Sequence, residues 1–226
     1  MITGASRGIG LATALRFARA GARLVLAARD PQAIEAARRE VERAGAACEA
    51  VAADVATRAG AESLVAAARR RFGGLDVLVN NAGAAPRAPL DELTDEQFEL
   101  ALAANVRSVF YATRAAWRPL RERGGGVVVS VSSLASDDPF PGFAVYGACK
   151  AWVNLFTRAI AAEGRPLGIR AFAVAPGAVE TGMLRGLFPD FPAPQALAPD
   201  DVAGVIESVC AAGMAHASGQ TIFVRK

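Results

Sequence analysis

Met1-Ile2-Thr3-Gly4-Ala5-Ser6-Arg7-Gly8-Ile9-Gly10 opens the chain. Thr3 leaves a strand and the next helix starts near Gly8. Gly4 allows a tight turn with positive φ, Gly8 lets a phosphate approach bare backbone, and Gly10 lets helix and sheet pack closely. The helix N-terminus offers free N–H groups and a partial positive charge to an anion. The spacing is G-x-x-x-G-x-G, and no Walker-type lysine with Ser/Thr accompanies it, which disfavours nucleoside triphosphate hydrolysis. Gly4-Ala5-Ser6-Arg7-Gly8 also fits the G-x-S-x-G elbow of α/β-hydrolases, with His216 in a permitted chain order. That elbow comes after several strands, and here almost nothing precedes Ser6. The stretch establishes a strand–turn–helix and leaves its ligand open.

Working outward, short apolar runs alternate with amphipathic ones. Strands are expected at 24–28, 48–54, 75–80, 125–133, 168–176 and 220–224, besides the stub at 1–3. Helices are expected at about 31–45, 58–72, 94–122, 146–163 and 199–212, after the one that the glycine turn opens. Thr94 and Gln97 have capping-box spacing. Seven strands and six principal helices in alternation predict a doubly wound α/β Rossmann fold: a mostly parallel seven-stranded sheet with helices on both faces. No linker or repeat interrupts residues 1–226, which are expected to form one domain. The irregular stretch 182–198, with Phe188, Phe191 and three prolines, reads either as a surface loop or as an apolar lid.

Composition narrows the function. The chain has 226 residues, 53% hydrophobic and 21% charged, which excludes disorder and allows a sizeable core. A net charge of +3 gives no case for a nucleic-acid partner. Arg69-Arg70-Arg71 reads as a solvated face at a helix end. No apolar run reaches a membrane span, and no signal-peptide pattern is present. Cys48, Cys149 and Cys210 form no CxxC pair, so neither a zinc site nor a disulfide framework is expected, and a cytoplasmic setting is. The chain has 23 Arg but two Lys, two Tyr and one His. One of those lysines, Lys150, stands four residues after one of those tyrosines, Tyr146.

Positions i and i+4 share a helix face. Cys149, Trp152, Val153, Phe156 and Ile160 suggest a core stripe on the other face, so Tyr146 and Lys150 are expected to project away from the core. A tyrosine titrates near 10, and a neighbouring ammonium lowers that value. A tuned phenol can then act as a general acid or base.

With these motifs in order, the chain resembles the short-chain dehydrogenases/reductases in single-domain form, over essentially its whole length. Thr3–Gly10 resembles the family's TGxxxGxG turn. Asp54-Val55 resembles its adenine contact, Asn80-Asn81-Ala82-Gly83 its NNAG segment, and Pro176-Gly177-Ala178-Val179-Glu180-Thr181 its PG-x-x-x-T segment. Asn105 falls where the family keeps a catalytic Asn, and Ser133 lies 13 residues before Tyr146, the family's spacing for its Ser. The resemblance implies a carbonyl/alcohol oxidoreductase. In it Tyr146 is the acid or base and Ser133 stabilises the substrate oxygen. Lys150 holds the ribose and lowers the Tyr146 pKa, and Asn105 holds a relay water. Ser130 and Ser132 are decoys, and His216 has no role. The implied cofactor contacts are Gly4, Ser6, Arg7, Gly8, Ile9, Gly10, Arg29, Asp54, Val55, Asn81, Ala82, Gly83, Tyr146, Lys150, Pro176, Gly177, Val179 and Thr181.

The second strand ends Ala27-Ala28-Arg29-Asp30. Ala28 stands where NAD-preferring enzymes place a carboxylate. Arg7 and Arg29 therefore favour a 2′-phosphate, and the expected cofactor is NADP(H). An inward-turned Asp30 would weaken that expectation. The general resemblance leans to the 3-oxoacyl-thioester reductase and broad carbonyl-reductase group, 139–151 has some likeness to sepiapterin reductases, and neither decides the substrate. Family habit implies a homodimer or homotetramer, with Phe110, Trp117 and Trp152 as candidate contacts. The short first strand and the absence of an Asp-Gly-Gly tail depart from the family. A short lid implies an open pocket. Competing readings are a non-catalytic dinucleotide sensor on the same fold and the Ser6 hydrolase.

Overall fold

The computed structural model describes residues 1–226. Seven strands form one sheet: β1 (Ile2–Thr3), β2 (Leu24–Ala28), β3 (Cys48–Ala52), β4 (Val77–Asn80), β5 (Gly126–Val131), β6 (Ile169–Pro176) and β7 (Thr221–Val224). Their order is β3-β2-β1-β4-β5-β6-β7. Every pairing is parallel, so the sheet carries no antiparallel edge. Strand order reverses between β1 and β4, and ligands bind at such a switch, outside the strand C-termini.

Eight helices flank the sheet: α1 (Gly8–Arg19), α2 (Pro31–Arg43), α3 (Arg58–Phe72), α4 (Asp95–Leu102), α5 (Ser108–Glu122), α6 (Ala144–Gly164), α7 (Gly182–Leu187) and α8 (Pro199–Cys210). One face of the sheet buries Ala14, Ile34, Val41 and Ile206 from α1, α2 and α8. The other buries Leu64, Ala112, Leu120 and Ile160 from α3, α5 and α6. The strands are apolar on both sides for this reason.

Side chains that satisfy free N–H groups set the helix starts. Asp30 Oδ1 accepts from Gln32 N at 2.8 Å and Ala33 N at 3.1 Å. Thr57 Oγ1 accepts from Gly60 N at 3.0 Å. The capping box of Thr94 and Gln97 forms as the spacing predicts. The three arginines that close α3 lie on a solvated face: Arg69 meets Glu122 at 3.0 Å, Arg70 meets Glu49, and Arg71 lies over the Phe72 ring.

Two expectations need correction. The single helix over 94–122 is interrupted by a π-turn at Ala103–Arg107 that separates α4 from α5. Three strands are shorter than expected: β3 stops at Ala52, β5 stops at Val131, and β4 starts only at Val77. At the first two the chain leaves the ladder toward the cleft: Asp54 turns to accept from Ala56 N, and Ser133 caps the next turn.

The glycine turn is fastened to the end of β4. Thr3 Oγ1 accepts from the backbone N–H groups of Asn81 and Ala82, each at 3.0 Å. Asn81 Nδ2 donates to the carbonyls of Thr3 and Gly4, each at 2.9 Å. Gly4 sits at φ +62°, as its place in the turn predicts. A Cβ on Gly10 would lie 2.5 Å from both Asn81 Nδ2 and Gly4 O, the close approach that requires glycine there.

Candidate active site

A cleft of about 1320 Å³ runs along the strand C-termini. Every site residue named from the sequence lines it except Gly10, whose place is in the packing beneath the turn. At one end lie Gly4, Ser6, Arg7, Gly8 and Ile9, with Arg29, Asp54 and Val55 beyond them. Asn81, Ala82 and Gly83 form the middle, and Asn105, Ser133, Tyr146 and Lys150 the reacting wall. Pro176, Gly177, Val179 and Thr181 close the opposite side.

The glycine end is built for an anion. No side chain caps α1, and its first turn carries no acid. Its leading N–H groups therefore face the cleft free. Gly8 has φ +58°, and a Cβ there would come within 3.2 Å of Thr181 Cγ2. A dinucleotide phosphate fits a cradle of this kind. Arg7 and Arg29 are exposed, and neither takes part in the ion pairs of the fold, which run from Arg16–Asp200 to Arg185–Glu180. Asp30 borders the cleft, but its carboxylate is spent as the cap of α2.

At the reacting wall, α6 supplies three polar side chains one turn apart: Tyr146, Lys150 and Asn154. The Ser133 side chain stands beside the Tyr146 hydroxyl and favours its phenolate form. Lys150 Nζ lies 5.7 Å from the Tyr146 ring centroid and donates to Val131 O at 2.8 Å. Tyr146 and Lys150 both line the cleft, on a different side of α6 from Val153 and Ile160, and Lys150 is only 4% exposed even so. Trp152 and Phe156, assigned to the core stripe, are only half-buried. The reason is that α6 packs on β6 with one face and against α4 and the π-turn with another, so it has more than one buried stripe.

The pKa expectation also needs correction. Burial pushes the Tyr146 phenol up, and the neighbouring Ser133 side chain offsets only part of this. Burial likewise pulls the Lys150 ammonium down to about 8. Desolvation is the largest influence on both groups, so the free protein does not hold Tyr146 below its ordinary value.

Asn105 is fully buried in the π-turn. Its Nδ2 donates to Ala84 O at 2.7 Å and Ala101 O at 2.9 Å, and its Oδ1 has no partner. A Cβ on Gly83 would lie 2.9 Å from that Oδ1 and 3.6 Å from Lys150 Nζ. The free acceptor and the ammonium thus flank the same small space, which only glycine leaves open.

The decoy serines are occupied elsewhere. Ser130 Oγ accepts from Asn80 Nδ2 at 3.3 Å, and Ser132 Oγ donates to Lys150 O at 3.2 Å. His216 is exposed and does not line the cleft. Two supporting residues, Asn154 and Ser136, are not among those expected from the sequence. Asn154 Nδ2 donates to Ser136 Oγ at 2.8 Å, and Ser136 Oγ donates to Ser133 O at 2.6 Å. This relay ties the Ser133 turn to the helix that carries Tyr146. The eight-residue step from Tyr146 to Asn154 is the one signal that points to it. The stretch 182–198 is an apolar wall: Met183, Leu184, Leu187, Phe188 and Phe191 line the cleft.

Residues 1–191 match the family profile described as short chain dehydrogenase. The chain is 35% identical to 3beta-hydroxysteroid dehydrogenase 1 of Eggerthella lenta, over 99% of this chain and 90% of the relative. It superposes on the 3-ketoacyl-(acyl-carrier-protein) reductase of Brucella melitensis, complexed with NADH, with TM-score 0.91 and 34% identity, covering 99% of this chain and 95% of the other. L-sorbose reductase from Gluconobacter frateurii, complexed with NADPH and L-sorbose, gives TM-score 0.92 and 30% identity, covering 99% and 93%.

Burial of Lys150 has a pH signature. Its ammonium titrates at about 8 in the fold and near 10.5 when unfolded. Below about 8 the folded state bears the full cost of a buried cation. Between these values the unfolded chain holds a proton that the folded chain has lost, so stability rises with pH. Lys150→Met is expected to exceed the parent in urea-unfolding free energy at pH 7 by on the order of 3 kcal/mol. That advantage should vanish by about pH 10.5; a gain that does not change with pH would refute the assignment.

Proposed function

The chain belongs to the short-chain dehydrogenase/reductase family and is a NAD(P)-dependent carbonyl/alcohol oxidoreductase; on that premise we propose that it prefers NADP(H) and uses Tyr146 as its general acid and base. One observation carries the catalytic assignment. Ser133, Tyr146 and Lys150 converge on a single wall of the cleft, with Ser133 beside the Tyr146 hydroxyl. We assign all of 1–226 to this one catalytic domain.

When bound, the cofactor supplies the hydride. The chain's own groups manage charge and protons. The carbonyl oxygen becomes negative as its carbon is reduced, and the Ser133 hydroxyl donates a hydrogen bond to it. Tyr146 gives its phenolic proton to the same oxygen, a step worth ~10²–10⁴-fold in rate. In oxidation the phenolate takes that proton back. Lys150 holds the nicotinamide ribose hydroxyls, and its positive charge then favours the phenolate that the reaction creates. The Asn105 Oδ1 and Lys150 Nζ, on either side of Gly83, provide the route by which Tyr146 is reprotonated.

At the other end, the free N–H groups of α1 receive the pyrophosphate. Asp54 and Val55 border the adenine. Arg7 and Arg29 take the 2′-phosphate, since neither is committed to a carboxylate and Ala28 cannot hold a ribose hydroxyl. A charge-assisted hydrogen bond contributes ~1.5–3 kcal/mol, which is roughly 10- to 150-fold in affinity. Asn81 is occupied with the glycine turn and acts through it.

The two competing functions fare worse. Ser6 lines the cleft and His216 does not, so the hydrolase constellation is not assembled. A sensor that only binds dinucleotide has no use for the Ser133–Tyr146–Lys150 wall.

The protein works as a homodimer or larger homo-oligomer in the cytoplasm. No helix is long and apolar enough to cross a membrane, and all three cysteines are free. Phe98, Phe110 and Leu155 leave apolar area exposed on α4, α5 and α6. Phe110 lies 6.4 Å from Phe156, which stacks on Trp152 at 4.6 Å, so the surface is continuous. Trp117 instead packs against the core.

Tyr146→Phe should abolish turnover of ketones and leave NADPH affinity within about twofold; retained turnover would remove Tyr146 from the chemistry. Paired fluorescence titrations should give NADPH at least ~10-fold tighter than NADH. Arg29→Ala, and Arg7→Ala to a similar degree, should erode that ratio, whereas equal affinities in the parent would refute the 2′-phosphate assignment. Leu155→Glu should shift the sedimentation mass toward the monomer, and an unchanged mass would move the interface elsewhere.

A further inference from the structure

The substrate end of the cleft contains a cation that neither the reduction nor the cofactor uses. Arg87 stands after β4 on the 84–89 loop and lines the cleft opposite the lid. Its guanidinium lies over the Phe188 ring, 5.0 Å from the centroid. Phe188 stacks on Phe143 at 6.1 Å, and Phe143 meets Tyr146 edge-on at 5.7 Å. A ladder of three rings therefore joins the guanidinium to the hydroxyl that faces the carbonyl.

The arginine is held but not neutralised. Gly142, at φ +85°, leaves room for its stem: a Cβ there would lie 3.1 Å from Arg87 Cγ. The Arg87 loop is joined to the same segment by Ala88 N donating to Gly142 O at 3.2 Å. No carboxylate or carbonyl pairs with the guanidinium. The contrast is Arg185 on α7, which is bound to Glu180 and to the carbonyls of Pro189 and Phe191. The only acids lining the cleft, Asp30 and Asp54, stand after β2 and β3 at the far end. Around Arg87 the walls are Phe140, Pro141, Phe143, Leu187 and Phe188, with Arg225 and Lys226 as the further charged residues at that end.

We propose that Arg87 is an anion-binding subsite that selects carbonyl substrates with an apolar body and a carboxylate or similar anionic tail. The body lies along the Phe143–Phe188 rings with its carbonyl at Ser133 and Tyr146, and the tail reaches the guanidinium. Arginine suits this place because its planar fork binds a carboxylate with two donors while its face rests on an aromatic ring. Arg87 is exposed, so solvent and salt screen its attraction for an anion. The inference rests on the reductase assignment for the position of the carbonyl, and not for the presence of the anion subsite.

Two measurements test it. The first compares kcat/KM for 5-oxo-5-phenylpentanoate and its methyl ester with NADPH, at low and high salt. The parent is expected to favour the acid by about tenfold or more at low salt, and less at high salt. Arg87→Ala should cut the acid-to-ester ratio by about tenfold through KM, with part of the preference kept in Arg87→Lys. A ratio that does not move would overturn the proposal. So would an equal loss for both compounds, which would make Arg87 a fastener of the lid. The second measurement needs no turnover: calorimetry of 5-phenylpentanoate against 5-phenylpentan-1-ol, with and without NADPH. Tighter binding of the acid, lost in Arg87→Ala, is expected. Equal binding, or none, would sink the subsite. If the acid binds selectively while no carbonyl in a panel oxidises NADPH, the reductase assignment has failed and the subsite stands.

Discussion

Four hydrogen bonds between the first turn and the end of β4 hold the active region together. Thr3 Oγ1 receives two backbone N–H groups, and Asn81 Nδ2 returns two donors to Thr3 and Gly4. β1 is only two residues long, yet it sits at the centre of the sheet between β2 and β4. The side-chain bonds add to the ladder that β1 shares with β2 and β4. They fix the glycine turn against the NNAG segment, which places Gly83 beside Asn105 and Lys150. Both halves of the cleft, the phosphate cradle and the reacting wall, are positioned from that junction.

The reacting wall is organised by α6. Its Tyr146, Lys150 and Asn154 lie along one line, and that line faces the turn carrying Ser133. Placing an ammonium there opposes folding, since burial pulls Lys150 to about 8 and its one hydrogen-bond acceptor is a backbone carbonyl. A site that tolerates such a group sacrifices stability for chemistry. Burial in the free protein favours the neutral phenol and disfavours the ammonium. The proposed reaction, which transiently turns the phenol into a phenolate, is the event that makes the two charges complementary.

Much of this is legible in the sequence because it depends on local spacing. The alternation of apolar strands with helices points to the sheet, and the glycine spacing to the turn. The four-residue step from Tyr146 to Lys150, with Ser133 thirteen residues earlier, points to the wall. The features that are not legible depend on burial. The helical wheel of α6 predicts one core stripe, but α6 is packed on two sides, so Lys150 is buried even where it lines the cleft. For the same reason the Tyr146 shift runs opposite to the expected direction, because desolvation cannot be read from neighbours in sequence. Asn154 is marked only by its eight-residue step from Tyr146, since its partner, Ser136, is eighteen residues away and belongs to an irregular turn. Arg87 lies in a loop with no pattern, and only the ring of Phe188 across the cleft gives it a context.

The π-turn at Ala103–Arg107 has a consequence for the whole length of chain from Asp95 to Glu122. One extra residue in a helix resets the angular phase of the residues beyond it by about 100°. α4 and α5 therefore continue one another as rods without sharing a stripe. The first half turns toward α6, and the second turns its Ala112, Ala116 and Leu120 toward α3 and the sheet. Removal of the π-turn would leave a smoother helix, but the two halves could no longer both face their present neighbours, and Asn105 would rotate away from Gly83.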